Sequence, residues 1–123
     1  GGRPTPAVGF ATGIERLVLN LKKQKVVVPA LPPPTVFVAY LGKDAKEEAI
    51  RITAHLRKSG ITTLASLNER SLKAQLKQAN ASGVRYTVII GEDEVKSKSI
   101  VLRNMAKGEQ QSIPVKKLVE SLK

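Results

Sequence analysis

No cysteine and no tryptophan occur in this 123-residue chain, which has a single histidine, two tyrosines and two phenylalanines. Without cysteine there is no disulfide framework, no thiolate metal site and no thiol nucleophile, a usage that fits a reducing compartment. One histidine cannot share a metal with a second. It is His55, beside Arg57 and Lys58 in a predicted helix, where it reads as solvated. Aromatics make up 3% of the chain, so the core must be assembled from Val, Ile, Leu and Ala. Phe10, Phe37, Tyr40 and Tyr86 are the whole supply of rings, too few for a stacking platform of the kind many RNA-binding sheets use. Charge and hydrogen bonding are left as the recognition route.

No apolar run approaches the roughly 20 residues needed to span a bilayer. The longest, Leu17 to Leu21, ends in Lys22 and Lys23. The first residues also lack the charged-then-apolar order of a signal peptide. A soluble, cytoplasmic protein is expected, with an organelle as the other compartment. Gly-x-Gly-x-x-Gly and Walker sequences are missing too, which removes nucleotide binding by those loops. Acid is the scarcer charge: 10 Asp and Glu stand against 21 Lys and Arg, a net charge of +11. That imbalance draws polyanions by counterion release and long-range steering. A basic surface serving solubility alone is the plainer reading, but for so lopsided a small domain nucleic acid is the favoured partner. A membrane is not, since no helix pairs a basic face with exposed aromatic anchors.

What is present falls into three parts. Val26 to Pro34 reads VVVPALPPP, and its consecutive prolines favour an extended, semi-rigid spacer. It divides residues 1–25 from a domain over residues 35–123. In the first part Ala7 to Ala11 reads as a short strand. Thr12-Gly13-Ile14-Glu15 has the order of a capping box, and a helix to Lys23 follows with Leu17, Val18 and Leu21 on one side. A piece this small cannot bury a core alone and reads as a fragment of a larger domain.

In the last part Thr35 to Tyr40 is apolar on both faces, as a covered strand should be. A capping-box order at Asp44 to Glu47 opens a helix lined by Ala45, Ala49, Ile52 and Leu56 and closed by Gly60. Ile61 to Leu64 is a short strand. A helix over Arg70 to Ala81 follows, with Leu72, Leu76 and Ala79 inward and Gly83 at its end. Val84 to Ile90 reads as the central strand; Gly91 closes it, and Glu92, Asp93 and Glu94 form an acidic turn. Ser99 to Met105 and Gln110 to Ile113 are the remaining strands. A final helix starts at Pro114, with Val115, Leu118, Val119 and Leu122 as its stripe. The alternation requires right-handed crossovers and a parallel section of sheet, and the short link from Gly91 to Lys98 makes the next strand antiparallel. The expected fold is α/β: a mixed sheet of about four or five strands with about three helices, plus a short N-terminal strand–helix remnant.

Consecutive carboxylates point in different directions, so Glu92, Asp93 and Glu94 make a poor metal site. A fixed glutamate suits another task. Guanine in single-stranded RNA offers two N–H donors on its Watson–Crick edge, and one carboxylate accepts both. Antiparallel pairing would bring Arg103 beside Glu94, to hold a phosphate or a base acceptor. Glu94 taken alone reads as a solvated turn residue.

Thr5 to Leu17, TPAVGFATGIERL, resembles the third signature motif of class II aminoacyl-tRNA synthetases in its histidyl form. RSLKAQLK at Arg70 to Lys77, YTVIIGEDE at Tyr86 to Glu94 and MAKGEQ at Met105 to Gln110 resemble the C-terminal anticodon-binding domain of the same family, histidyl-tRNA synthetase. The proline-rich spacer lies where that family joins catalytic core to anticodon domain, and the likeness covers nearly the whole chain. It implies that Gly13, Glu15 and Arg16 are the remnant of an ATP site, with Arg16 contacting ATP. An arginine near a helix start suits a phosphate or adenine platform. The other two class II motifs are missing from this chain, so no catalytic set is complete. ATP and Mg2+ are implied for the parent enzyme and no cofactor for this fragment. The resemblance further implies that Glu94, Arg103, Lys77 and Glu69 contact a tRNA anticodon, and that the parent is a homodimer. Gln78 stands where the family often has an aromatic residue, which removes a stacking contact. The family's target is a guanine-containing anticodon, in keeping with the carboxylate reading of Glu94. Other readings are a synthetase-like regulatory paralogue that binds tRNA without catalysis, an anticodon domain for another class IIa amino acid, and a non-specific basic RNA binder.

Overall fold

A computed structural model describes residues 1–29, 31–67 and 69–122. The chain gathers into two units, Gly1–Leu31 and Pro32–Lys123.

The first unit contains one element, helix α1 (Ile14–Lys23). Gly13 takes the N-cap with no side-chain bond, so the capping box expected from Thr12 and Glu15 does not form: the cap falls one residue too late for the Thr12 hydroxyl. The strand expected over Ala7 to Ala11 does not form either, because a strand needs a ladder partner and none runs beside it here. Glu15 in the first turn and Lys22 and Lys23 in the last suit the helix dipole. None of α1 is buried. Leu17, Val18 and Leu21 keep 49%, 43% and 45% of their surface exposed, so this unit closes no core of its own.

The second unit is a five-stranded sheet in the order β2-β1-β3-β4-β5. Its strands are β1 (Val36–Tyr40), β2 (Thr63–Ala65), β3 (Tyr86–Ile90), β4 (Ser99–Asn104) and β5 (Gln110–Pro114). β1 pairs in parallel with β2 and β3, while β3–β4 and β4–β5 are antiparallel. The mixed sheet is the expected one, with β3 at its centre. Around it lie α2 (Lys43–Lys58), α3 (Leu72–Ala81), α4 (Glu92–Ser97) and, after a 3-10 turn at Val115–Lys117, α5 (Leu118–Ser121). Among the described residues that makes four helices in this unit and five with α1, against about three expected here beside the one of the N-terminal remnant.

The extra helix is the segment read as an acidic turn. The Glu94 carboxylate accepts the Gly91 backbone amide at 2.9 Å, and three acids in a first turn favour the helix dipole. At α2 the cap is Gly42, at φ 92 and without a side-chain bond. Asp44 therefore sits inside the first turn, and the expected capping box is absent.

Alternation along each strand builds two core layers. Val36, Val38, Tyr40, Val88, Ile90, Ile100 and Leu102 pack with Ala45, Ala49, Ile52 and Leu56 of α2 and with Leu118 of α5. On the other face Phe37, Ala39 and Ile89 pack with Ala79 and Val84, and Leu72 and Leu76 of α3 lean on them. One buried residue of α3 is polar. β2 ends at Ala65, opposite Val38, which leaves the next rung of β1 unpaired. Gln75, fully buried, fills it: Tyr40 N–H donates to Gln75 Oε1 at 3.0 Å, and Gln75 Nε2 donates to the Tyr40 and Arg70 carbonyls at 2.7 and 2.8 Å. Among the described residues no helix is long and apolar enough to cross a membrane.

Candidate nucleic-acid interface

On one face of the sheet helix α3 packs on β1, Val101 of β4 and Met105 lean on the same core, and most of β5 beyond them is exposed. The register fixes what β4 and β5 present. Thr87 lies opposite Arg103, Arg103 opposite Gln110, and Val101 opposite Ser112. Directly paired residues share a face, and Phe37, opposite Thr87, belongs to the α3-side core. Arg103 is thus half-buried on that sheet face, with Gln110 and Ser112 exposed next to it. Among the described residues the one ion pair is Glu48–Arg51, at 3.6 Å, so the Arg103 guanidinium has no carboxylate partner there.

α3 adds cations of its own. Its Gln75 is turned toward the β2 side, where it meets Tyr40. Lys73 and Lys77, two residues either way, project roughly 160° around the helix from it, and both are exposed. The turn into α3 is held in place: Gln75 binds the Arg70 carbonyl at 2.8 Å, and the Ser71 hydroxyl accepts from Ala74 N–H at 3.4 Å. Glu69, exposed, precedes that anchor by one residue. Gln78 is exposed on α3, and His55 is exposed in the last turn of α2.

Glu94 lies elsewhere. A Cβ on Gly91 would fall 2.8 Å from Glu94 Oε2, a measure of how closely the carboxylate folds over that glycine. The side chain lines a groove of about 610 Å3 with Glu48 and Arg51 of α2 and with Lys98 and Lys116, on the α2 side of the sheet. The expected pairing of Glu94 with Arg103 does not occur. Arg103 sits opposite Thr87 near the start of β3, while Glu94 follows the strand's end, about 13 Å further along for a four-residue step. The error came from reading residues 91–98 as a tight turn; the antiparallel strand that begins at Ser99 carries Arg103 away from that end. Lys77 and Arg103 therefore share the α3 face, whereas Glu69 and Glu94 stand toward the carboxyl ends of the parallel strands. The four are spread along the sheet instead of gathered in a pocket.

In the first unit Gly13, Glu15 and Arg16 are all exposed. The Arg16 side chain folds back to 3.9 Å from where a Gly13 Cβ would sit. Uncapped amides beneath a guanidinium fit one anionic group such as a phosphate. They do not fit the rest of ATP. Among the described residues no three His, Asp or Glu side chains stand close enough to hold a metal ion.

A family described as the anticodon binding domain matches residues 35–123. The chain belongs to that family. Over its full length the anticodon-binding chain is 49% identical to a histidine–tRNA ligase of Dehalococcoides mccartyi, of which it covers 29%. It is 48% identical over 111 residues to that of Fervidobacterium nodosum, covering 89% of the chain and 26% of the relative. The chain therefore spans about three tenths of the length of the relatives it matches. Among solved structures, an apo histidyl-tRNA synthetase of S. aureus superposes with a TM-score of 0.70 at 33% identity, over 89% of this chain and 32% of that one. A histidyl-tRNA synthetase from Nostoc sp. PCC 7120 gives 0.70 at 28% identity, over 89% and 27%. Sequence reasoning missed Gln75, whose only outward signal was a polar letter at an inward position of α3.

Proposed function

We propose that this anticodon-binding domain holds the anticodon loop of a tRNA against the α3-side face of β4 and β5 and against α3 itself. The parent is a histidine–tRNA ligase that joins histidine to its tRNA with ATP and Mg2+ and works as a cytoplasmic homodimer. The observation that carries the reading is the Arg103 guanidinium, without a carboxylate partner among the described residues and flanked by exposed Gln110 and Ser112 on the α3 side of the sheet, in a chain of this family. Lys73 and Lys77 hold phosphates and fix register; Arg103 reads a base acceptor or a phosphate with its planar fork. At the far end of the sheet Glu94 uses Oε2 on the Gly91 amide and keeps Oε1 for a guanine N–H. Contacts spaced along the sheet suit an extended run of unstacked nucleotides better than one flipped base. Gly13 and Arg16 would hold one phosphate of ATP in the parent.

The test is a titration with stem-loops carrying the histidine anticodon or a mismatched one. Arg103→Ala is expected to weaken the matched loop by about 1–3 kcal/mol, roughly tenfold to a hundredfold, and the mismatched loop by less. Unchanged affinity of Arg103→Ala for both loops would sink the proposed face.

A further inference from the structure

A second recess opens on the opposite face of the sheet, where the β4–β5 hairpin meets α5. It is lined by Tyr86, Leu102, Asn104, Glu109, Gln111 and Ser121, together with Gln110, and holds about 350 Å3, inside the roughly 300–1,000 Å3 span of small-ligand sites. None of the residues read as anticodon contacts belongs to it.

The hairpin fixes its walls. Asn104 N–H donates to the Glu109 carbonyl and Gly108 N–H to the Asn104 carbonyl, both at 2.9 Å. Asn104 Oδ1 accepts from Ala106 and Lys107 N–H at 3.0 and 3.1 Å. With its oxygen committed, the Asn104 amide is left with its NH2 to offer. Glu109 and Gln111 are exposed, and neither forms an ion pair among the described residues. Leu102 is buried at 3% exposure. Tyr86 is half-buried, with the Arg85 guanidinium 5.2 Å from its ring centroid. Ser121 Oγ donates to the Lys117 carbonyl at 3.0 Å.

We infer that this recess binds a guanine nucleotide unit. Leu102 and the Tyr86 ring give a planar base a small apolar patch within a mostly polar lining. The Glu109 carboxylate accepts the N1–H and N2–H pair that guanine alone among the RNA bases presents, and the Asn104 NH2 donates to O6. Arg85, 5.2 Å from the Tyr86 ring centroid, supplies charge for a phosphate. Cytosine and adenine would set an acceptor nitrogen against the carboxylate. The base can come from an RNA loop or from a free nucleotide, and the test has an arm for each.

The full chain is titrated with GMP, with CMP, and with an RNA stem-loop bearing an unpaired guanine, and backbone amide shifts are followed by NMR. GMP but not CMP is expected to move the amides of Tyr86, Asn104, Glu109 and Gln111, and Glu109→Gln to weaken GMP about tenfold, as loss of a bidentate base contact does. The same shifts with the stem-loop assign the recess to RNA; GMP shifts alone assign it to the free nucleotide. Equal shifts with GMP and CMP overturn the inference, as does silence with both GMP and the stem-loop up to about 1 mM. Arg103→Ala separates the two sites, since it should leave the GMP shifts unchanged whether or not the anticodon reading survives.

Discussion

Tyr40 and Gln75 sit side by side in the core and differ in how their polar atoms are treated. Tyr40 is 2% exposed, and its hydroxyl finds no hydrogen-bond partner among the described residues. A buried hydroxyl left unmade costs on the order of 1–3 kcal/mol. Tyr40→Phe should therefore leave stability unchanged or raise it by about 1 kcal/mol in urea unfolding; a fall of that size would show that the hydroxyl has a partner. Gln75 is the reverse case, with its oxygen and nitrogen both engaged. Gln75→Leu strands the Tyr40 amide and carbonyl and the Arg70 carbonyl, and should lower stability by about 3 kcal/mol in the same measurement. Neither behaviour was legible in the sequence. A glutamine on an inward helical position and a tyrosine in an apolar run give no sign of whether a partner waits, because that depends on where a neighbouring strand happens to stop.

At the scale of elements, burial wrote a pattern that could be read. The inner face of α2, Ala45, Ala49, Ile52 and Leu56, and the wholly buried β1 follow the periods that packing imposes. The ends were harder. Gly13 and Gly42 took caps assigned to Thr12 and Asp44, because a glycine turn satisfies the chain's direction before a side-chain cap is needed. Six residues from Glu92 to Ser97 wound into α4, and that one reassignment displaced Arg103 from Glu94. Gly91 is the hinge of this helix. Gly91→Ala would push Glu94 Oε2, 2.8 Å from the new Cβ, off the cap; the expected loss is about 1 kcal/mol. Hydrogen exchange should quicken at the Gly91 and Val95 amides while the β3–β4 ladder stays protected. Unchanged exchange along α4 would mean the cap is dispensable.

For the whole molecule the surplus of 21 basic over 10 acidic side chains pointed to a polyanion before any motif did. Which surface receives it was not readable, since that depends on which strands α3 lies over. Charge also sets a measurable quantity. If Lys73, Lys77 and Arg103 each neutralise a phosphate of a single-stranded loop, log affinity should fall with log salt at a slope of about −2 from these three, and each lysine-to-alanine change should flatten it by about 0.7. A slope unmoved by Lys73→Ala and Lys77→Ala places the RNA backbone on some other surface. Matched and mismatched loops should share the slope and differ in intercept, because base contacts carry little salt dependence.

The brevity of β2 has one more effect. Three residues long, it stops short of the tip of β1 and would expose a naked rung to any wandering strand from another molecule. The Gln75 amide plugs that corner with a counterfeit peptide group, so a domain this basic and this small is shielded from self-templated stacking at that rung.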